Sequence, residues 1–435
     1  MLQAVANAFK LPDLRKKILF TLLMLVIYRL AAHIPVPGVN AAAMKQVFES
    51  NQLLGLLNMM SGGAMANFSV MAMGPYPFIT AQIVIQLLQP IIPALDAMAK
   101  EGEAGRRKMN TLMHILTIPL AGLQGFAQAS LLAQESSSTG GAVISNFGFT
   151  ADAWLPTLAT LFTLTAGTMF AIWLGELIDE QGIGNGLSII IFGGIVAGIP
   201  ANLAELWIAN PWSILAFAII TVITVVGIVY VQEGQRRIPV NYAKRVRGNK
   251  IYGGQSTHIP LQVNSAGMIP LIFAVSIIMF PGVIASYFVS SPVDWVAKVA
   301  TFIQNAFSSS GPFYWILYFV FVVGFTYFYT DVLFQQQDLP ETLRRQGGFI
   351  PGMRPGTRTA DYLSGVLRRI TFVGAMFLGI VAILPYLIRP LVKTDSMLIT
   401  STGLLIVVGV VLDTMKQLEA QLLMRHYEGF IRKSG

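Results

Sequence analysis

The sequence contains no cysteine, so disulfide bonds, thiolate nucleophiles and cysteine-based metal sites are excluded. Charge is also scarce: Asp, Glu, Lys and Arg make up 11% of 435 residues, against about a quarter in ordinary soluble domains. Because 54% of the residues are hydrophobic, the chain has more apolar surface than one water-soluble core can bury. The composition therefore predicts a protein that uses lipid as its solvent.

Groups that carry catalysis are few and scattered. No Gly-x-x-x-x-Gly-Lys-Ser/Thr run occurs, so work driven by ATP must come from a partner. The run Gly182-Ile-Gly-Asn-Gly186 resembles a nucleotide-binding loop, but it follows no predicted strand and favours the start of a helix. We expect no enzyme activity, no catalytic residue, no metal site and no cofactor. The four histidines lack ligand-like spacing: His33, His114, His258 and His426.

Ten long apolar segments are present. They are longer than the roughly 10-residue strands of a membrane barrel, and in lipid every backbone polar group needs an internal partner, so we predict helices. The predicted fold class is an all-α polytopic membrane protein with ten transmembrane helices. The segments lie at about 18–37, 75–95, 109–133, 153–176, 186–207, 212–232, 266–289, 313–334, 370–388 and 398–415.

Basic residues alternate between the gaps that separate these segments. Twenty-four of the 29 Lys and Arg lie in alternate gaps, four lie in the other gaps, and Arg29 lies inside the first segment. Because basic loops stay in the cytoplasm, both termini are predicted to be cytoplasmic. The N-terminus resembles a secretory signal, but Pro35-Val-Pro-Gly38 follows without a cleavage pattern, so we predict a retained helix. The net charge of +8 suits anionic lipids or ribosomal RNA.

Ten segments divide into two halves of five, 1–210 and 211–435. An odd number per half predicts an inverted repeat, and the alternative is ten helices without internal symmetry. The long external gap 38–74 includes an apolar but interrupted stretch, 52–73, which fits an interfacial helix and a re-entrant plug equally well. Two cytoplasmic loops, 233–264 and 336–365, are too long to be plain connectors, although topology anchoring and lipid attraction also explain their charge.

Several motifs occur in a fixed order along nearly the whole chain. In this order they resemble the motifs of the SecY family, whose members are the central subunit of the bacterial protein-translocation channel. The motifs are Ile34-Pro-Val-Pro-Gly38, Lys100-Glu-Gly-Glu-Ala-Gly-Arg-Arg107, Gly182-Ile-Gly-Asn-Gly186, Arg236-Arg-Ile-Pro239, Tyr242-Ala-Lys-Arg245, Gln255-Ser-Thr-His258 and Gly347-Gly-Phe-Ile-Pro-Gly-Met-Arg-Pro-Gly356.

This resemblance implies an hourglass pore between two inverted halves, with a lateral gate toward lipid and an external plug over about 52–73. Unfolded secretory polypeptides would cross the pore, and membrane segments would leave sideways. The implied pore ring is Ile79, Leu187, Ile191, Ile272 and Ile406, whereas Pro75 stands where the family has an aliphatic residue. The implied plug residues are Leu56, Asn58, Ser61, Gly62, Gly63, Asn67 and Phe68.

The resemblance also implies a polar seam along the lateral gate, formed by Thr80, Gln124 and Asn264. Plain helix–helix hydrogen bonding is the alternative. The implied partners are SecE and SecG, the motor ATPase SecA, the ribosome, signal sequences, nascent polypeptides and anionic lipids, in a bacterial plasma membrane. The implied partner-binding residues are Arg236, Arg237, Lys244, Arg245, Arg247, Lys250, Arg344, Arg345, Arg354 and Arg358. A small-solute transporter and a membrane scaffold are the rival classes; sparse intramembrane charge disfavours the transporter.

Overall fold

The computed structural model describes most of the chain. It covers residues 11–40, 44, 61, 63–139, 144, 147–148, 153–209, 211–242, 245–247, 250–252, 256–267, 269–289, 293–307, 311–337, 339–353, 356–392, 403 and 406–422. The predicted residues Leu56, Asn58, Gly62, Lys244 and Arg354 lie outside these ranges.

Helices dominate the described residues, and each of the ten predicted apolar segments overlaps one of them. The helices are α1 (Pro12–Ala31), α2 (Tyr76–Leu88), α3 (Pro93–Lys100), α4 (Glu103–Thr139), α5 (Trp154–Gln181), α6 (Gly186–Ala209), α7 (Pro211–Glu233), α8 (Ile269–Phe288), α9 (Asp294–Ala306), α10 (Pro312–Gln337), α11 (Leu339–Arg345), α12 (Thr357–Val392) and α13 (406–422).

Proline and glycine set the ends of several helices. Pro12, Pro77 and Pro93 each occupy the first turn of a helix, where the missing N–H costs nothing. The α2 helix stops before Pro90, and its axis is bent by 105° from the axis that begins at Pro93. The predicted segment 75–95 is therefore a helix followed by a sharp turn.

Three described helical stretches are long and apolar enough to cross a membrane, and the bent pair α2–α3 makes a fourth if it counts as one span. The three are Trp154–Gln181, Pro312–Arg345 and Thr357–Leu384. Shorter apolar helices are Gly186–Pro200, Ala218–Glu233 and Ile269–Ile278. Their length and composition fit a multi-pass membrane protein.

The chain forms two compact units. The first comprises Met1–Thr221, Ser276–Trp315 and Pro385–Gly435, and the second comprises Val222–Val275 and Ile316–Leu384. The predicted division at residue 210 concerns an inverted repeat. Because the two compact units are defined by contacts and not by symmetry, the inverted repeat stays a prediction.

In the first unit, small residues allow close approach of backbones. A Cβ atom at Gly167 of α5 would lie 1.8 Å from the carbonyl oxygen of Val70. A Cβ atom at Gly186, the first residue of α6, would lie 1.9 Å from the carbonyl oxygen of Gly175 on α5. These contacts fix the segment before α2 and the start of α6 against one helix.

We expect Gly167→Ala to destabilise the protein by about 1–3 kcal/mol, because the added methyl group forces two backbones apart. The matched control is Gly122→Ala on α4, where a Cβ atom meets nothing within 4 Å. That change should be neutral or stabilising by up to about 1 kcal/mol, since alanine favours a helix. Thermal unfolding in detergent measures both, and equal midpoints would contradict the close contact at Gly167.

The second unit contains a small sheet that was not predicted from the sequence. Its strand order is β4 (Ser256–Gln262), β1 (Gln235–Tyr242) and β5 (Gly348–Phe349), all antiparallel. The register pairs Ile238 with Ile259, and a second hairpin joins β2 (Arg245–Arg247) and β3 (Lys250–Tyr252). The two long loops predicted separately thus share one sheet.

This sheet packs on α11 and the start of α12 around its own apolar core, and we call the assembly the sheet lobe. Alternate β1 residues point inward, so Ile238 and Val240 are buried while Arg237 and Pro239 are exposed. The buried core residues are Ile238, Val240, Leu261, Leu343, Ile350 and Leu363.

Candidate pore, plug and gate

The described part of the predicted plug is buried in the first unit. Ser61, Met65 and Phe68 are at most 1% exposed, and Met65–Asn67 forms a single 3-10 turn. Phe68 closes that turn in the left-handed region, with φ of 38°. Because an aromatic residue rarely adopts this conformation, the turn stores strain of order 1–3 kcal/mol. Gly63 and Asn67 lie in the same segment and are partly buried.

Helix α1 and the strand-like chain after it hold this segment. The hydroxyl of Tyr28, itself fully buried, donates a hydrogen bond to the carbonyl of Ser61. The N–H of Val36 donates to the carbonyl of Phe68 at 3.1 Å, and the N–H of Val70 donates to the carbonyl of Ile34 at 2.9 Å. The segment is therefore fixed at both ends.

Arg29, for which the sequence suggested no role, lies against the same segment. A Cβ atom at Gly63 would lie 2.7 Å from its Nη1 atom, and the positive φ of 86° at Gly63 also favours glycine. The guanidinium therefore packs directly on the backbone of the plug segment.

The predicted ring residues are apolar side chains with little exposure. Ile79 on α2 and Ile191 on α6 are 5% and 2% exposed, and Ile406 at the start of α13 is 5% exposed. Leu187 is partly buried and approaches Gly175, whose added Cβ would lie 2.9 Å from its Cδ2 atom. Ile272, in the second unit, is 8% exposed. Pro75 is the buried N-cap of α2.

Two of the three predicted gate residues are joined. The side-chain amide of Gln124 on α4 donates to the hydroxyl of Thr80 on α2 at 3.2 Å, while its Oε1 atom is buried without a partner among the described residues. Asn264, in the second unit, donates to the carbonyl of Gly267 at 3.1 Å, and its Oδ1 atom is likewise buried without a described partner. Gln124 on α4 and Asn264 in the turn before α8 thus each retain a buried acceptor oxygen without a described partner.

A polar cavity of about 400 Å³ lies beside α2, α4, α5 and α6. The Oε1 atom of Glu176 lies 3.1 Å from both Asn110 Nδ2 and His114 Nε2, while the ring of His114 lies 5.4 Å from Phe78. No sequence pattern indicated this cluster, because its members come from three separate segments. The lining is Phe78, Gln82, Asn110, Met113, Ile172, Glu176, Asp179, Glu180, Asn185 and Leu187.

The sheet lobe carries five of the ten predicted partner-binding residues. Arg236 and Arg237 are exposed on β1, and Arg344 and Arg345 both pair with Glu341 of α11 at 2.9 and 3.3 Å. These pairs are exposed and contribute little stability. Among the others, Arg358 is exposed at the start of α12, and Arg245, Arg247 and Lys250 lie on β2 and β3.

A family model described as SecY matches residues 69–415. The chain belongs to the SecY family. A SecY relative from Halalkalibacterium halodurans, named protein translocase subunit SecY, is 44% identical over 99% of this chain and 100% of its own length. The SecY of Thermotoga maritima, with the same name, is 41% identical over 100% of this chain and 98% of its own.

Solved channels share the SecY fold with this chain. One, described as a protein conducting channel, superposes with a TM-score of 0.61 at 17% identity and covers 96% of both chains. Canine Sec61, solved in a ribosome–channel complex, superposes with a TM-score of 0.60 at 17% identity and the same coverage. The predicted fold class is therefore confirmed: this SecY-family chain is a helical, multi-pass membrane protein.

Proposed function

We propose that this chain is the protein-conducting subunit of a bacterial Sec translocase. Unfolded secretory polypeptides cross through it, and apolar segments leave it sideways into the plasma membrane. The full-length identity of 41–44% to protein translocase subunits is the observation that carries this proposal. The chain works as a passive pore rather than as an enzyme, so energy comes from SecA or from the ribosome.

Bulky aliphatic side chains suit the waist of such a pore. Fixed charges or hydrogen-bonding groups would favour some polypeptides and trap them, whereas aliphatic groups exclude water and ions when no chain is present. The proposed ring is Ile79, Leu187, Ile191, Ile272 and Ile406, and the burial of its four isoleucines fits a waist that excludes water. Pro75 caps α2 and orients its first turn instead of joining the ring.

The segment that includes Ser61, Gly63, Asn67 and Phe68 acts as the plug in the closed state. The hydrogen bond from Tyr28 to Ser61 and the packing of Arg29 on Gly63 hold its near end. The strained turn at Phe68 favours release once an entering chain breaks those contacts. The same role is proposed for Leu56, Asn58 and Gly62.

The lateral gate uses Thr80, Gln124 and Asn264. The bond between Thr80 and Gln124 is worth only about 0.6–2 kcal/mol in a membrane, so an apolar signal sequence can displace it. The buried acceptors on Gln124 and Asn264 suit a seam that exchanges partners as helices separate.

The sheet lobe receives SecA or the ribosome on the cytoplasmic side, where both termini also lie. Its exposed arginines suit acidic protein surfaces and ribosomal RNA. Arg354, between two Pro-Gly pairs, and Lys244 belong to the same surface in this proposal. SecE and SecG are the expected small subunits, and anionic lipids the expected surroundings of the basic loops.

We expect the double change Arg236→Glu and Arg237→Glu to weaken binding of SecA or ribosomes at least about tenfold at low salt, because two exposed cations become anions. Flotation of partner with vesicles measures this, and higher salt should reduce the difference. The matched control is Glu233→Arg, which reverses an exposed charge next to β1. Unchanged binding by the double variant would contradict a role of these arginines in partner binding and favour a role in fixing membrane topology.

Transport by purified components tests the proposed function as a whole. Vesicles that contain the full-length chain with its small subunits should protect a radiolabelled secretory protein from protease when SecA and ATP are added. Vesicles without the chain should give no protection. Uptake of small solutes without polypeptide transport would favour the rival class of secondary transporter.

A further inference from the structure

Helix α9, which the apolar pattern did not predict, carries an exposed apolar face. Trp295, Val299 and Phe302 follow one another at spacings of four and three residues, so they share one side of the helix. Their exposures are 69%, 49% and 74%. Ala300 is the buried residue of this helix, at 4% exposure, and marks the face that contacts the protein.

The helices on either side of α9 also expose aromatic side chains next to it in the chain. Phe288, the last residue of α8, is 51% exposed, and Phe313, in the first turn of α10, is 52% exposed. The rings of Phe307 and Phe313 lie 6.1 Å apart and tie the end of α9 to the start of α10. Because α8 and α10 are membrane helices, the short helix between them sits at a membrane surface.

The length and charge of α9 indicate how the helix is placed relative to the bilayer. Thirteen residues make a helix of about 20 Å, which is shorter than the hydrocarbon core of about 30 Å. Asp294 and Lys298 are its only charged residues, and they cancel. The apolar face and the exposed polar residues Asp294, Thr301 and Asn305 lie on different sides of the helix, and this two-sided pattern fits a helix that lies in the interface plane.

We propose that α9 lies flat in the headgroup interface of the bilayer, with Trp295, Val299 and Phe302 inserted among the upper acyl chains. The lipid surface is the occupant of this face. Because the helix has no net charge, apolar burial and not attraction to anionic lipid holds it there. This proposal rests only on membrane helices flanking α9 and not on the proposed transport function.

The absence of cysteine makes the test direct, because single cysteines can be labelled in the otherwise natural chain. Trp295→Cys and Phe302→Cys place a bimane label on the apolar face, and Asp294→Cys and Thr301→Cys place it on exposed positions of the polar face. The full-length variants are reconstituted in phosphatidylcholine vesicles, with and without phosphatidylglycerol. Thermal unfolding checks that all four remain folded.

We expect labels at 295 and 302 to be quenched by lipids that carry a shallow nitroxide, and to be at least about threefold less quenched by aqueous iodide than labels at 294 and 301. Phosphatidylglycerol should leave this pattern unchanged. Equal iodide quenching at all four positions would overturn the proposal in favour of a water-exposed helix. Protection from iodide without quenching by lipid would overturn it in favour of a protein partner or a second copy.

Discussion

Replacement of Ile191 by asparagine is expected to raise ion leak through the idle channel about tenfold or more. The side chain is 2% exposed in an apolar setting, and a hydrophobic seal works by making water entry unfavourable. An amide at the waist offers water hydrogen bonds, so each 1.4 kcal/mol gained by the wet state raises its population tenfold. Conductance of planar bilayers that contain the purified chain measures the change.

The neighbouring change Ile190→Asn is the matched control. Ile190 is fully buried on the same helix, about 100° around the axis from Ile191. An amide there has no route to pore water, so we expect a loss of stability of about 1–3 kcal/mol without a comparable leak in the folded fraction. The ring assignment would be wrong if both variants lost stability alike and neither leaked.

Removal of the Tyr28 hydroxyl is expected to release the plug segment. In Tyr28→Phe the fully buried ring remains, but the carbonyl of Ser61 loses the hydrogen bond that this hydroxyl donates. Loss of one buried hydrogen bond weakens the closed state by about 0.5–1.5 kcal/mol, which shifts a closed–open equilibrium by roughly 2- to 12-fold. Brief channel openings should become more frequent by that factor, and secretory proteins with weak signal sequences should be exported better.

The matched control is Tyr242→Phe in the sheet lobe. This change also removes a tyrosine hydroxyl, which donates a hydrogen bond to Gln346 at 3.3 Å. Tyr242 is far along the chain from the plug segment. The opening frequency of this variant should equal that of the unchanged protein. If Tyr28→Phe also left openings unchanged while unfolding at a lower temperature, Tyr28 would be an ordinary packing residue.

Much of the helical fold was predictable because membrane helices leave a strong pattern. Apolar runs long enough to cross lipid, with arginine and lysine in alternate gaps, placed ten segments that each overlap a described helix, although α12 begins at Thr357 and not near 370. Their exact ends depended on local chemistry, as at Pro90 and Pro93, where a helix became a bent pair. The sheet lobe was not predicted although Ile238, Val240 and Tyr242 recur at every second position, since the many charges suggested a loop.

The candidate site was less predictable for a physical reason. Single apolar residues such as Ile79 and Ile191 carry no chemical mark that distinguishes a pore from a core, so only the family resemblance proposed them. Contacts between distant segments have no sequence pattern either. The packing of Arg29 on Gly63 and the cluster of Glu176 with Asn110 and His114 appear only in three dimensions.

Crosslinking of a secretory polypeptide stalled in transit tests the central claim most directly. Photoreactive side chains at Ile79, Ile191 and Ile272 should each capture the stalled chain, and one at Ile219, which is 53% exposed on α7, should not. Capture at the three positions and not at Ile219 is the result that a polypeptide pore lined by these residues predicts. Labelling of lipid alone at the three positions would contradict it.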